Sequence, residues 1–301
     1  MNRRQFLIGS TAAAAVGVGA FAGAGCAAVT GARRPLFQIS LAEWSYHNAL
    51  FGRKMSHLDF PKVARRDHGI DAIELVNQFF MDKATDRSYL AEFKRRAEGE
   101  GVGIKLIMCD DEGALGDPDP VLRQLAAIQH RKWADAAAYF GCHSIRVNAE
   151  TGHVGTPEEQ QKRAADGLRQ LTEYCADLGL NCMVENHGGL ASNGQWLVGL
   201  MRRVDHPRAG LLPDFGNWYD YDRYQGVTEM MPYAHAVSAK SHDFDARGNC
   251  TETDYRRMMR IVLAAGYHRW LGIENEGEHL SEPEGVNATK RLLDRLQTEL
   301  V

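Results

Sequence analysis

The chain has 301 residues and a formal charge of −4, with 44 % apolar and 25 % charged residues. This balance is globular and excludes a disordered, collagenous or coiled-coil chain. No surplus of Lys and Arg exists to neutralise phosphates, so no nucleic-acid partner is expected.

Residues 1–34 are a different kind of sequence. They hold no Asp or Glu, and an Ala/Gly-rich apolar stretch from Phe6 to Val29 runs between two arginine pairs, Arg3-Arg4 and Arg33-Arg34. This reads as a signal peptide. Its start, Asn2-Arg3-Arg4-Gln5-Phe6-Leu7, resembles a twin-arginine export signal, which implies the twin-arginine export machinery as a partner and a periplasmic or exported location. Gly9, Gly17, Gly19, Gly23 and Gly25 make the stretch a poor spanning helix, so no membrane span is expected after signal removal. Ala22-Gly23-Ala24 and Cys26-Ala27-Ala28 both offer cleavage sites. Ala24-Gly25-Cys26 also resembles the end of a lipoprotein box, which would place a lipid anchor at Cys26. Cys109, Cys142, Cys175, Cys182 and Cys250 fit no disulfide or zinc spacing and read as buried free thiols.

From Pro35 to Val301 one pattern repeats, with no linker or composition break. Strand-like runs are expected at 36–41, 70–75, 103–108, 142–148, 180–185, 209–213, 236–240 and 270–274. Amphipathic helices are expected between them. One begins after Asp86, and one spans 120–140 with Leu122, Leu125, Ile128 and Trp133 at helical spacing. Another starts at Thr156-Pro157-Glu158-Glu159, a capping Thr followed by Pro and acids. Two more cover 254–263 and 286–300. Gly69, Gly101, Gly141, Gly179 and Gly266 stand where helices should stop before the next strand. Eight strands alternating with helices demand parallel pairing, so residues 35–301 are predicted to form a single (β/α)8 TIM barrel of the α/β class. An open doubly wound sheet would need a Gly-rich phosphate loop after an early strand, and none is present.

Barrel chemistry sits at the carboxyl ends of the strands. Those ends carry Glu43 and His47, Glu74, Asp110, Arg146 and Asn148, Glu185 and His187, Asp214 and Asn217, Lys240 and His242, and Glu274 and Glu276. Glu185, Asp214, His242 and Glu274 are 29, 28 and 32 residues apart, about one strand–helix unit each. Three carboxylates and an imidazole converging on the axis suit a divalent ion: Mn2+ in first place, with Mg2+, Co2+ or Zn2+ as alternatives.

Four segments carry a family resemblance: Val184-Glu185-Asn186-His187-Gly188-Gly189, Pro213-Asp214-Phe215-Gly216-Asn217-Trp218, Ala239-Lys240-Ser241-His242-Asp243-Phe244 and Gly272-Ile273-Glu274-Asn275-Glu276-Gly277. Over about 36–300 the chain resembles the xylose isomerase-like TIM-barrel family of sugar phosphate isomerases and epimerases. The resemblance implies Glu185, Asp214, His242 and Glu274 as metal ligands, with Glu185 and Glu274 as the catalytic acid and base. Many relatives carry His-x-Lys-Asp on the seventh strand, where this chain reads Lys240-Ser241-His242-Asp243. A register following Asp243 puts Lys240 in the ligand place. Strand alternation points both residues to one side, and His242 is favoured because neutral imidazole ligates and ammonium does not. Asn217 stands where epimerases often place a substrate-binding His. Candidate substrate-binding residues are His187, Asn217, Lys240, Glu74, Arg146 and Trp44, the last as an aromatic stacking face for a sugar. The resulting expectation is a metal-dependent sugar isomerase or epimerase acting through a cis-enediolate on a small carbohydrate. A lyase or hydratase acting on 3-oxo-sugars or 3-oxo-glycosides is the alternative, and a non-catalytic exported sugar-binding protein is a third. A homo-oligomer is compatible with each.

Overall fold

Each expected strand forms, with bounds within two residues of those read from the sequence: β1 (Gln38–Ala42), β2 (Ala72–Val76), β3 (Gly103–Cys109), β4 (Ser144–Val147), β5 (Asn181–Glu185), β6 (Ala209–Leu212), β7 (Val237–Ser241) and β8 (Trp270–Asn275). The structure, a computed structural model, describes residues 35–301. The segment read as an export signal, with Cys26, lies outside the described residues. The helices are α1 (His47–Phe51), α2 (Phe60–His68), α3 (Arg87–Gly99), α4 (Pro120–Phe140), α5 (Pro157–Asp177), α6 (Gly194–Val204), α7 (Arg223–Met230), α8 (Tyr255–Ala264) and α9 (Glu282–Glu299).

All ladders are parallel, in the order β6-β5-β4-β3-β2-β1-β8-β7. The two ends of this sheet meet through bridges at Leu211–Ala234 and Asp214–Ser238. There His235 N–H donates to Leu211 O, Ser238 N–H to Pro213 O and Phe215 N–H to Ser238 O. The chain thus curls into the expected (β/α)8 barrel. Among the described residues no helix is long and apolar enough to cross a membrane.

Local chemistry explains the boundaries. Asp86, Asp119, Thr156, Asn193, Asp222 and Asp254 each accept a backbone N–H in the first turn of the helix that follows, and Thr156 with Glu159 closes a full capping box. Each such cap stabilises its helix by about 1 kcal/mol. Gly69 and Gly141 end α2 and α4 in the left-handed region, at φ 65° and 78°, where a side chain would be strained.

In α4 the apolar stripe differs from expectation. Trp133 is fully buried, but Leu122, Leu125 and Ile128 are exposed. The face turned to the strands is Ala126, His130, Trp133 and Ala137, spaced four, three and four residues apart. Cys109, Cys142, Cys175, Cys182 and Cys250 are buried free thiols, as read.

Strand alternation divides the core in two. One set of side chains, including Ile107, Cys109, Ile145, Val184, Val237 and Ile273, packs under the helices. The alternate set points into the barrel. Part of it is apolar, with Ala42, Val76, Leu106, Met108, Met183, Leu212 and Ala236 in one cluster. At the same parity, nearer the carboxyl ends, stand Arg146, Glu185, Asp214, Lys240 and Glu274. The fold therefore delivers the acids read from the sequence into one layer.

Candidate active site

Three carboxylates, a guanidinium and an ammonium share that layer, and all five side chains are buried. Register explains the meeting: Lys240 lies beside Glu274 on the neighbouring strand, and Arg146 beside Met183, one inward position below Glu185. Arg146 donates from Nη1 to Asp110 Oδ1 at 2.7 Å, and its Nε lies 2.7 Å from Glu185 Oε2. The second approach is an ion pair without hydrogen-bond alignment. Asn148 Nδ2 donates to the same Asp110 oxygen at 2.7 Å. On the far side, Lys240 Nζ lies 2.9 Å from Glu274 Oε1 and 3.1 Å from Glu276 Oε1. Asn217 joins the two halves. Its Nδ2 donates to Glu185 Oε1 at 2.9 Å, and its Oδ1 accepts from Lys240 Nζ at 3.1 Å.

The loops hold these groups through small polar residues. Asn186 brackets the backbone of Asp214, accepting from its N–H at 2.7 Å and donating to its carbonyl at 3.1 Å. Asn77 clamps Asp110 in the same two-bond pattern. Asp214 Oδ1 then accepts the N–H groups of Gly216 and Asn217, and its Oδ2 is buried with no hydrogen-bond partner. Ser238, inward-facing two residues before Lys240, reaches Glu274 Oε2 at 3.4 Å. Asn77 and Ser238 escaped the sequence reading. The alternation that located Lys240 also marks Ser238, whereas Asn77 carries no signal beyond its place after β2.

Electrostatics follow from burial and neighbours. Burial pushes the Glu185 carboxyl up to about 7, with Arg146 opposing and Glu274 adding to the rise. Burial likewise raises Asp214 to about 7, against the pull of Lys240. Glu274 is as buried, yet the charge and hydrogen bond of Lys240 outweigh desolvation and hold its carboxyl below the usual range. Lys240 and Arg146 stay cationic despite burial, because the surrounding acids raise both.

The remaining sequence candidates divide. Trp44 and His187 line both openings over the layer. One is a cavity of about 850 Å³ that also touches Asn217, Lys240 and Glu276. The other is a pocket of about 180 Å³ reaching Asp110, Arg146 and Glu274. Glu74 does not line them. It lies one layer lower, opposite Leu106, accepting from Ser40 Oγ at 2.6 Å. Gly272 makes room for it, since a side chain there would collide with the Glu74 carboxylate. Another cleft, of about 710 Å³, lies by the start of β6 at the opposite end and contains none of the strand-end acids.

His242 does not join the cluster. β7 ends at Ser241, so the inward alternation stops before His242, whose Nδ1 pairs with Glu252 Oε2 at 2.9 Å. Among the described residues, no group of three or more His, Cys, Asp or Glu side chains is placed to hold a metal ion. The expected fourth donor is replaced by an ammonium, which has no lone pair and repels a cation. The residues present therefore do not fit the metal that Glu185, Asp214, His242 and Glu274 were expected to bind, and nothing in them selects Mn2+.

Residues 63–297, which include Asp110, Glu185, Asp214, Glu274 and Glu276, match the family described as xylose isomerase-like TIM barrel. The chain belongs to that family. Solved structures share the fold. A xylose isomerase-like TIM barrel protein from Mycobacterium smegmatis, in complex with magnesium, superposes at a TM-score of 0.66 with 19 % identity, covering 89 % of this chain and 98 % of the other. The 3-keto-D-glucoside 4-epimerase YcjR from E. coli gives 0.65 at 15 % identity, covering 86 % and 99 %. The probable 3-DHS dehydratase AsbF from Bacillus anthracis gives 0.64 at 15 %, also covering 86 % and 99 %. No curated protein matches the sequence. Among these fold neighbours are an epimerase and a probable dehydratase.

Proposed function

We propose that the protein is a sugar isomerase or epimerase that removes a proton from carbon beside a carbonyl. The observation that carries this reading is the pair Glu185 and Glu274, each beside its own cation and linked through Asn217 and Lys240 under an open cavity. Glu274, kept ionised by Lys240, acts as the base. Glu185, whose carboxyl burial raises to about 7 so that a protonated share is present near neutral pH, returns the proton on the other side, and environments that push two carboxyls apart suit this division. Trp44 offers a face for the sugar ring, while His187 and Asn217 contact its hydroxyls. Arg146 and Lys240 stabilise the negative charge that grows on the carbonyl oxygen. No step in this scheme passes through a metal. The twin-arginine start supports an exported, periplasmic setting for the reaction.

The test is incubation with a panel of ketoses and 3-oxo-glucosides in D2O, followed by NMR. Deuterium entering an intact carbon skeleton, abolished in Glu274→Gln, supports the reading. Loss of water or release of an aglycone replaces it with a lyase. Sugar binding with no exchange on any panel member replaces it with a binding protein.

A further inference from the structure

The inward layer holds an excess of acid, and the structure shows what sits among it. Lys240 Nζ is in contact with Glu274, Glu276 and Asn217, and Asp214 and Glu185 also act on its charge. Lys240 is 3 % exposed. Its stem is accommodated by the neighbouring backbone. A Cβ on Gly216 would stand 2.7 Å from Lys240 Cδ and 2.8 Å from Cγ, so the Asp214–Asn217 turn leaves room for this lysine by having no side chain there. The Asn217 amide is oriented to match, its carbonyl oxygen toward the ammonium and its amide nitrogen toward Glu185. His242, the imidazole expected as a ligand, is committed to Glu252.

We infer that the Lys240 ammonium is the resident cation of this site, occupying the place among Glu185, Asp214 and Glu274 where a divalent ion would otherwise be held. The three carboxylates then need no metal to offset their repulsion, and the site works without one. An ammonium donates hydrogen bonds to one or two oxygens but does not chelate. It therefore favours a substrate that develops one oxyanion over one that must present two oxygens to a common ion. This last point rests on the proton-transfer reading above, whereas the identity of the cation does not.

The experiment measures metal on the whole protein, without substrate. Purified wild type is analysed for metal content and titrated with Mn2+, Mg2+, Co2+ and Zn2+ by calorimetry and thermal shift. The expected result is well under one-tenth of an equivalent of metal and no saturable binding below about 1 mM. Lys240→His removes the ammonium and supplies a lone pair in its place. It is expected to gain Mn2+ or Zn2+ binding at least 100-fold tighter than wild type, and Lys240→Met controls for loss of charge alone. Near-stoichiometric metal in wild type, lost in Asp214→Asn, overturns the inference and leaves proton transfer standing. A folded Lys240→His that gains no metal overturns it as well. If that variant does not fold, the wild-type measurement decides. Absence of sugar exchange with a metal-free wild type sinks the proposed function and leaves this inference intact.

Discussion

Two buried glutamates stand at the carboxyl ends of the adjacent strands β1 and β8, and their surroundings have little in common. Glu43, after β1, is sealed off. It accepts the N–H of Val76 at 3.0 Å, and its other oxygen has no hydrogen-bond partner, 3.5 Å from His57. His57 is itself stacked against Phe80, Phe93 and Tyr89. Burial raises the Glu43 carboxyl and lowers the His57 ring to about 3, so burial drives both toward their neutral forms. Glu274, near the end of β8 and equally buried, sits beside an ammonium and under a cavity, and stays ionised. Burial alone therefore does not mark a working acid. A countercharge and an opening to solvent distinguish the two.

The largest expected effect follows from exchanging charge for amide in both places. Glu274→Gln should lower turnover by about 10³-fold, the scale of a lost general base, while Glu43→Gln, which replaces a sealed-off carboxyl by an isostere, should leave turnover within about threefold. Equal losses in steady-state assays would erase the distinction. Next in size is Arg146→Met. It strands Glu185 and Asp110 without their partner and should cost about 3–5 kcal/mol in urea unfolding. Pairing it with Glu185→Gln should recover part of that, and a double mutant no more stable than the single would argue that Arg146 acts through packing.

Gly216→Ala should cost about 1–3 kcal/mol by pressing on the Lys240 stem. The same change at Gly69, where no atom lies within 4 Å but φ is 65°, tests backbone strain without that collision. Only the Gly216 variant should also lose turnover. The smallest effect is a pH dependence. The folded chain protonates His57 only near pH 3, and the unfolded chain near the ordinary value of 6.5. Between those values the unfolded state binds the extra proton, so this residue lowers stability as pH falls. The stability gap between wild type and His57→Gln, measured by thermal unfolding, should therefore narrow from pH 7 to pH 5, by at most about 1.4 kcal/mol per pH unit below 6.5. A constant gap would show that His57 is not held neutral.

The fold was legible because its signals are local. Helix caps such as Asp86 and Thr156, and left-handed glycines such as Gly141, act within one turn of chain and read directly. Parity then put Arg146, Glu185, Asp214 and Glu274 in one layer. It failed at His242 because alternation holds only while the strand lasts, and β7 stops one residue earlier. It also counted Glu74 at the mouth, since spacing along the chain says nothing of the stagger between strands that sets Glu74 a layer lower. The Asn186 and Asn77 clamps depend on a partner one strand away, information that no single window contains.

The closure between β6 and β7 has a consequence for how such a barrel changes over generations. Elsewhere each strand is tied to its neighbour by a parallel ladder, but here separate bridges join the two edges, and Asp214 lies on one lip while Lys240 lies on the other. Insertions or deletions in the 215–236 connection can shift those lips relative to each other without breaking any of the ladders in the sheet. The seam is an expansion joint in the wall, the place where the site can be reshaped while the rest of the cylinder keeps its register.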